Sequence, residues 1–233
     1  MEAMKISSIT DDVNDLLAKD SSGHGMEHVE RVLKLAVNFA ESEGADKEIV
    51  TLAALLHDVD DYKLFGKANA DGLINATALL DKHGVLPETK EAVLDIVRSM
   101  GYNKYLEGMR PKSLEGMIVS DADMCDAIGA IGIIRTHAYA VSKGNEFFDK
   151  TLAPEDESMS ADQYRAKKKS HSVQHFFDKL LKIPSILMTE AGRQEGRKRQ
   201  AIMVEFLEEL FHEEDAADWQ DHLNEYMARE PKL

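Results

Sequence analysis

Residues 52–61 read LAALLHDVDD, an apolar run that ends in a His-Asp pair followed by two more aspartates. Together with Ile49, the residues Leu52, Ala53, Leu56 and His57 recur at helical spacing and share one face. That face is apolar enough to be a core stripe, so His57 is carried inward with it and Asp58 lies beside it. A polar ring in such a position is costly unless it is hydrogen-bonded or bound to a metal. The rest of the sequence must therefore supply its partners.

Upstream, His28 begins a second stripe with Val32, Leu35, Ala36 and Phe39, at i+4, i+7, i+8 and i+11. Downstream, Val119, Asp123, Ala127, Ala130, Ile131, Ile134 and Ala138 follow the 3.6-residue period over 114–140, read as one long helix whose apolar face Asp123 interrupts. Three polar residues thus sit on three apolar stripes. Two imidazoles and two carboxylates form a mixed nitrogen and oxygen donor set suited to one divalent ion: manganese, iron, cobalt, nickel or zinc, and less comfortably magnesium. Cys125 is the only cysteine, which excludes an intramolecular disulfide and a thiolate cluster.

The other segments also read as helices. Residues 71–83 form one closed by Gly84, and Pro87 opens another that carries Val93, Ile96, Val97 and Met100 and stops near Gly101. Gly129, Ala130 and Gly132 weaken helix propensity, which suggests close approach by a neighbouring helix. Residues 142–170 are polar, contain Gly144 and Pro154, and read as a mobile insertion. Residues 172–211 return to helical spacing, broken at Pro184, with Phe176, Phe177, Leu180, Ile202, Met203, Phe206, Leu207 and Leu210 as the apolar set. No repeat and no strand pattern emerges, so the expected fold class is all-α.

The 233 residues, 43% of them hydrophobic, suffice for one domain over 1–233. Its core is expected at about 22–140, the insertion at about 142–170 and C-terminal helices at about 172–214. Lys and Arg number 28 against 43 Asp and Glu, a net charge of −15, which repels long nucleic acid. A small anion is still admissible, because a bound cation reverses the potential locally. The start, MEAMKISSIT, lacks the basic and apolar regions of a secretory signal. The longest apolar stretch, 127–134, is far short of the roughly 20 residues a membrane helix needs. A cytoplasmic protein without a membrane partner is the expectation.

The strings HGMEHVERV around His28, LAALLHDVDD around His57 and VSDADMCDAIGAIGIIRT around Asp123 resemble the HD-domain superfamily, whose pattern is a His, a later His-Asp pair and a distant Asp on separate helices. With HFFDKLL from His175, they look most like its bacterial HD-type phosphohydrolases, over about 22–214. The resemblance implies an HD-domain helical bundle with a C-terminal helical extension. It implies metal ligands at His28, His57, Asp58 and Asp123, and metal-dependent hydrolysis of a small phosphorylated substrate, a nucleotide being favoured. The alternative is a nucleotide-binding sensor or interaction module that keeps the metal but turns over little. A dinuclear variant needs extra histidines between the His-Asp pair and the last Asp, and only His83 lies there.

Related phosphohydrolases place a catalytic acid at the position of Asp61, which could protonate a leaving oxygen or orient water; helix capping is the bland alternative. Asp60 is expected at the surface. Lys63 and His24 are candidate substrate contacts, and Lys67 is a weaker one. Arg193, Arg197, Lys198 and Arg199 read first as a solvated helix face and second as a nucleotide-binding edge. His171, His175 and Asp178 have ligand-like spacing but are expected to be exposed or packing residues. Of the neighbouring aspartates, Asp121 lies about 200° around the helix from Asp123, whereas Asp126, one turn on, could orient a ligand.

Overall fold

The structure, a computed structural model, describes residues 2–18, 25–154 and 171–229. The described residues are helical or irregular, with no strand. No helix among them is long and apolar enough to cross a membrane. Two compact units make up the chain, Met1–Asp123 and Met124–Leu233.

In the first unit, α1 (Glu2–Leu17), α2 (Met26–Glu43), α3 (Lys47–Leu56), α4 (Tyr62–Phe65), α5 (Lys67–Gly72), α6 (Ile74–Lys82), α7 (Pro87–Ser99) and α8 (Tyr102–Leu106) precede α9 (Leu114–Asp126), which crosses the unit boundary after Asp123. α3 is the central element, with α1, α2 and α7 all packed against it. Its sequence explains this, because Leu52 to Leu56 are five consecutive apolar residues and all are buried. A helix that is apolar all round must be covered all round. Complete burial of Leu52, Leu55 and Leu56 contributes about 1.5–3 kcal/mol each. Asp46 starts the helix, its carboxylate accepting from the backbone N–H groups of Glu48 and Ile49 at 2.9 and 3.2 Å.

The N-terminal helix is absent from the sequence reading, yet Ile9, Val13 and Leu17 lie at i, i+4 and i+8 and are buried. α7 begins at Pro87 and ends before Gly101, as its punctuation indicates. The helix expected over 71–83 is instead two. α5 ends at Gly72, Leu73 takes a left-handed conformation (φ 47°, ψ 49°), and α6 starts at Ile74. Beyond α6, Gly84 has φ 59° and the chain turns, with Val85 N–H donating to Leu80 O.

The second unit holds α10 (Gly129–Ser142), α11 (Ser172–Asp178), a single 3₁₀ turn at Leu180–Lys182, α12 (Ile183–Ile186), α13 (Glu190–Glu213) and α14 (Ala217–Arg229). α13 is its spine, contacted by α10, α12 and α14. Phe176, Phe177, Met203, Leu207, Phe211 and Trp219 are buried around it. α14 lies beyond the C-terminal helices expected from sequence, and buries Trp219, Leu223 and Tyr226 at helical spacing. The break expected at Pro184 falls on either side of it: Lys179 (φ −141°) ends α11 and Leu187 is extended, whereas Pro184 stands in the first turn of α12, where a missing N–H is tolerated.

The single helix expected over 114–140 is also two. Ile128 is extended and Gly129 has φ 78°, a conformation that favours glycine, so α9 stops at Asp126 and α10 starts afresh. Gly129 also permits the close approach expected there: a Cβ on it would meet the Cβ of Arg199 at 3.0 Å. The apolar phase continues across this break, which is why periodicity alone joins the two helices. Of the insertion expected over 142–170, residues 155–170 lie outside the described residues.

Candidate metal centre

The first unit brings His28, His57, Asp58 and Asp123 together. His28 stands in the first turn of α2, just after Gly25, and is 3% exposed among Val29 and Val32. His57 follows the last residue of α3 and still has helical dihedrals (φ −62°, ψ −31°), so its ring stays in register with the buried stripe below it. The ring's Nδ1–H donates to Ala54 O at 2.8 Å. Because a carbonyl can only accept, this bond places the proton of a neutral His57 on Nδ1 and leaves Nε2 with its lone pair. That Nε2 lies 3.1 Å from His28 Nε2, the rings meeting edge to face at 69°.

Asp58 Oδ2 is 3.4 Å from both Nε2 atoms. Asp123 Oδ1 is 3.4 Å from His28 Nε2 and 3.9 Å from His57 Nε2. His28, His57 and Asp58 alone supply three donor atoms that all lie within 4.8 Å of one another. Ligand atoms about 2.0–2.2 Å from one ion are, at angles from square to tetrahedral, about 2.8–3.6 Å apart. Four of the five separations fall in that range, and the residue types are those a borderline divalent cation takes. The donor set fits such an ion.

The electrostatics agree. Burial pushes the pKa of His57 down, but the charge of Asp58, its hydrogen bond and the charge of Asp123 outweigh burial and raise it above 6.5. For Asp123, burial pushes the pKa up, while the hydrogen bond from His28 and the charges of His57 and His28 bring it below 3.8. The cluster is built to hold positive charge among its carboxylates. Metal binding would take over that charge and displace a proton.

The remaining candidates separate. Asp61 is half-buried and caps α4, Oδ1 accepting from Lys63 N–H at 2.9 Å. Lys63 and Lys67 are exposed, and Lys63 Nζ lies 5.9 Å from the Tyr62 ring centre. His24 lies outside the described residues. Asp60 is not at the surface: it is 4% exposed, and its carboxylate accepts three hydrogen bonds from Asn69, Asn75 and Ala76. Its partners lie 9 to 16 residues away, beyond any local pattern. Asp121 is buried on the same helix as Asp123. His83 gives its Nε2–H to Asp12 Oδ2 at 2.6 Å.

In the second unit, Asp126 is fully buried and paired with Arg135 at 2.7 Å. Arg193 donates to Met188 O, Arg197 and Lys198 lie near Glu190 and Glu195, and Arg199 joins Glu195 to the carbonyl of Cys125 at 2.7 Å from each. The basic cluster thus pairs within its own helix and caps the end of α9. His171 packs, accepting Gln174 N–H on Nδ1 with its ring against Phe148 and Trp219, and Asp178 is buried with Gln174.

Comparison with known proteins matches residues 25–128 to the HD domain family. YpgQ of Bacillus subtilis is 33% identical over 202 residues, covering 85% of this chain and 88% of YpgQ. A crystal structure of an HD-superfamily hydrolase from Bacillus thuringiensis superposes with a TM-score of 0.72 at 35% identity, over 93% of this chain and all of that one. The structure of B. subtilis YpgQ in complex with ADP superposes with a TM-score of 0.69 at 29% identity, over 89% and 97%. The matched span contains His28, His57, Asp58 and Asp123, the four residues that meet in the first unit, and the chain belongs to the HD-domain superfamily.

Proposed function

We propose that this protein is a metal-dependent phosphohydrolase acting on a small phosphorylated substrate, a nucleotide by preference. The carrying observation is the convergence of His28 Nε2, His57 Nε2, Asp58 and Asp123 at 3.1–3.9 Å inside one unit. In this reading these four residues hold one divalent ion. A bound ion of this kind supplies acidity to activate water and charge to polarise a phosphoryl oxygen.

The chain's own residues do the rest. Ala54 O orients the His57 ring and fixes which nitrogen faces the centre. Oδ1 of Asp61 serves the α4 cap, so a proton for the leaving oxygen, or the alignment of water, falls to its Oδ2. Lys63, exposed five residues beyond Asp58, offers positive charge to an approaching phosphate. His24 has the same role in this reading. With a single ion, His83 needs no place at the centre, which suits its bond to Asp12.

The nucleotide preference is supported by the ADP complex of YpgQ. The net charge of −15 opposes long nucleic acid as substrate. The test is phosphate release from nucleotides and sugar phosphates, with manganese, cobalt, nickel, zinc and magnesium each added back after chelation. Metal-dependent release supports the reading; tight nucleotide binding without release from any substrate would replace it with a sensor.

A further inference from the structure

We propose that Asp60 is a positioning residue, which holds the turn carrying His57 and Asp58 by fastening it to the first turn of α6. Only Val59 and Asp60 separate Asp58 from Asp61, and both are buried. Four hydrogen bonds arrive on these two residues. Val59 O accepts from Asn75 Nδ2 at 2.7 Å. Asp60 Oδ1 accepts from Asn69 Nδ2 and from Asn75 N–H, each at 2.9 Å, and Asp60 Oδ2 accepts from Ala76 N–H at 2.9 Å.

α6 lacks a cap of its own. Its preceding residue, Leu73, offers no side-chain acceptor and sits in a left-handed conformation that leucine rarely adopts. Asp60 fills the place of the missing cap from 15 residues away, with its negative charge at the positive end of the helix. The contact therefore works in both directions: α6 receives an N-terminal acceptor, and the turn at 57–61 receives a rigid anchor. Both oxygens of Asp60 are taken up in this grip, so Asp60 is not itself a ligand of the centre.

What is positioned follows from the chain. Asp58 Oδ2 stands at 3.4 Å from both imidazole nitrogens, and its backbone joins directly to the anchored pair. Groups that hold a ligand from behind typically change metal affinity about 10–100-fold when removed. A carboxylate is acceptor-only and can satisfy three donors at once, whereas a carboxamide has one acceptor oxygen and must turn its NH₂ towards a donor. Asp60→Asn keeps the shape and breaks the match. This inference rests on the metal reading of the centre.

The test uses the full chain, freed of metal by chelation and titrated with cobalt(II), which reports affinity and, through its visible absorption bands, ligand geometry. Thermal melting of the metal-free protein reads stability separately. Leu79→Ala is the control, since it loosens the packing of α6 without touching the anchor. We expect Asp60→Asn to bind cobalt about 10–100-fold more weakly with altered bands, and Leu79→Ala to melt earlier with unchanged affinity and bands. Asn69→Ala removes one of the four bonds and is expected to show a smaller loss in the same direction; it decides the matter if Asp60→Asn does not fold. Wild-type affinity and bands in Asp60→Asn, or equal affinity losses in Asp60→Asn and Leu79→Ala, would overturn the positioning role. A wild-type chain that takes up no cobalt would instead overturn the metal reading.

Discussion

The Nε2 atoms of His57 and His28 face each other at 3.1 Å, and the His57 ring is held for this by its Nδ1–H bond to Ala54 O. Two imidazole nitrogens that face each other in a buried space, with two carboxylate oxygens beside them, suit a cation between them. His57→Ala is therefore expected to abolish tight metal binding and metal-dependent turnover, with wild type carrying about one ion per chain. Elemental analysis of the purified proteins is the check, and two tightly bound ions per wild-type chain would refute a mononuclear centre.

Asp123 and Asp121 lie two residues apart on α9, yet Asp123 Oδ1 reaches both imidazoles. Asp123→Asn is expected to weaken metal binding by tenfold or more. Asp121→Asn is expected to retain it, with any cost appearing in stability because Asp121 is buried. Metal titration paired with denaturant unfolding separates the two effects. Normal binding in the first variant and loss in the second would reverse the assignment.

Asp61 combines a capping bond with its place three residues beyond Asp58. Asparagine caps helices nearly as well as aspartate but cannot transfer a proton. Asp61→Asn is expected to melt like wild type and keep its metal while turning over roughly a hundredfold more slowly. Asp61→Ala is expected to lose turnover similarly and about 1 kcal/mol of stability as well. Wild-type turnover in Asp61→Asn would leave the residue with its cap alone.

Asp12 of α1 receives hydrogen bonds from Lys82 and His83, and these, followed by the positive charges of the same two side chains, hold its pKa below 3.8. A carboxylate whose folded pKa lies below its unfolded value stabilises the fold fully above the unfolded value, and loses that contribution as pH falls through the folded one. The stability gap between wild type and Asp12→Asn is thus expected to be constant near neutrality and to close only in acid below about pH 3.8. Urea unfolding of both proteins across pH measures it; a gap that closes near neutrality would refute Asp12 as the group that controls it.

Leu55 has no exposed surface, in the run of α3 from Leu52 to Leu56 that is buried throughout. Leu55→Ala is expected to cost about 2–5 kcal/mol of unfolding free energy. A cost below about 1 kcal/mol would mean that α3 is less central than its burial indicates.

Much of this protein is legible without its structure. The apolar period places His28 and His57 on core-facing stripes, Pro87 and Gly84 mark helix limits where they fall, and a single cysteine rules out an intramolecular disulfide. Each of these depends on residues within a turn or two of one another, and local sequence carries such information. The breaks at Leu73 and Ile128 escape the same reasoning, because the apolar phase runs on across a backbone kink that only dihedral angles reveal. Asp60 escapes it more completely. Local spacing shows an acidic residue in an acidic run, and its burial is decided by Asn69, Asn75 and Ala76 arriving from the next helices. The centre itself belongs to the tertiary structure for the same reason: residues 28, 57, 58 and 123 each carry a local signal for where they point. The 3.1 Å approach of His28 to His57, across 29 residues of chain, exists only because α2 and α3 pack together. Periodicity selects the face a side chain occupies, and the docking of elements distant in sequence selects what that face meets.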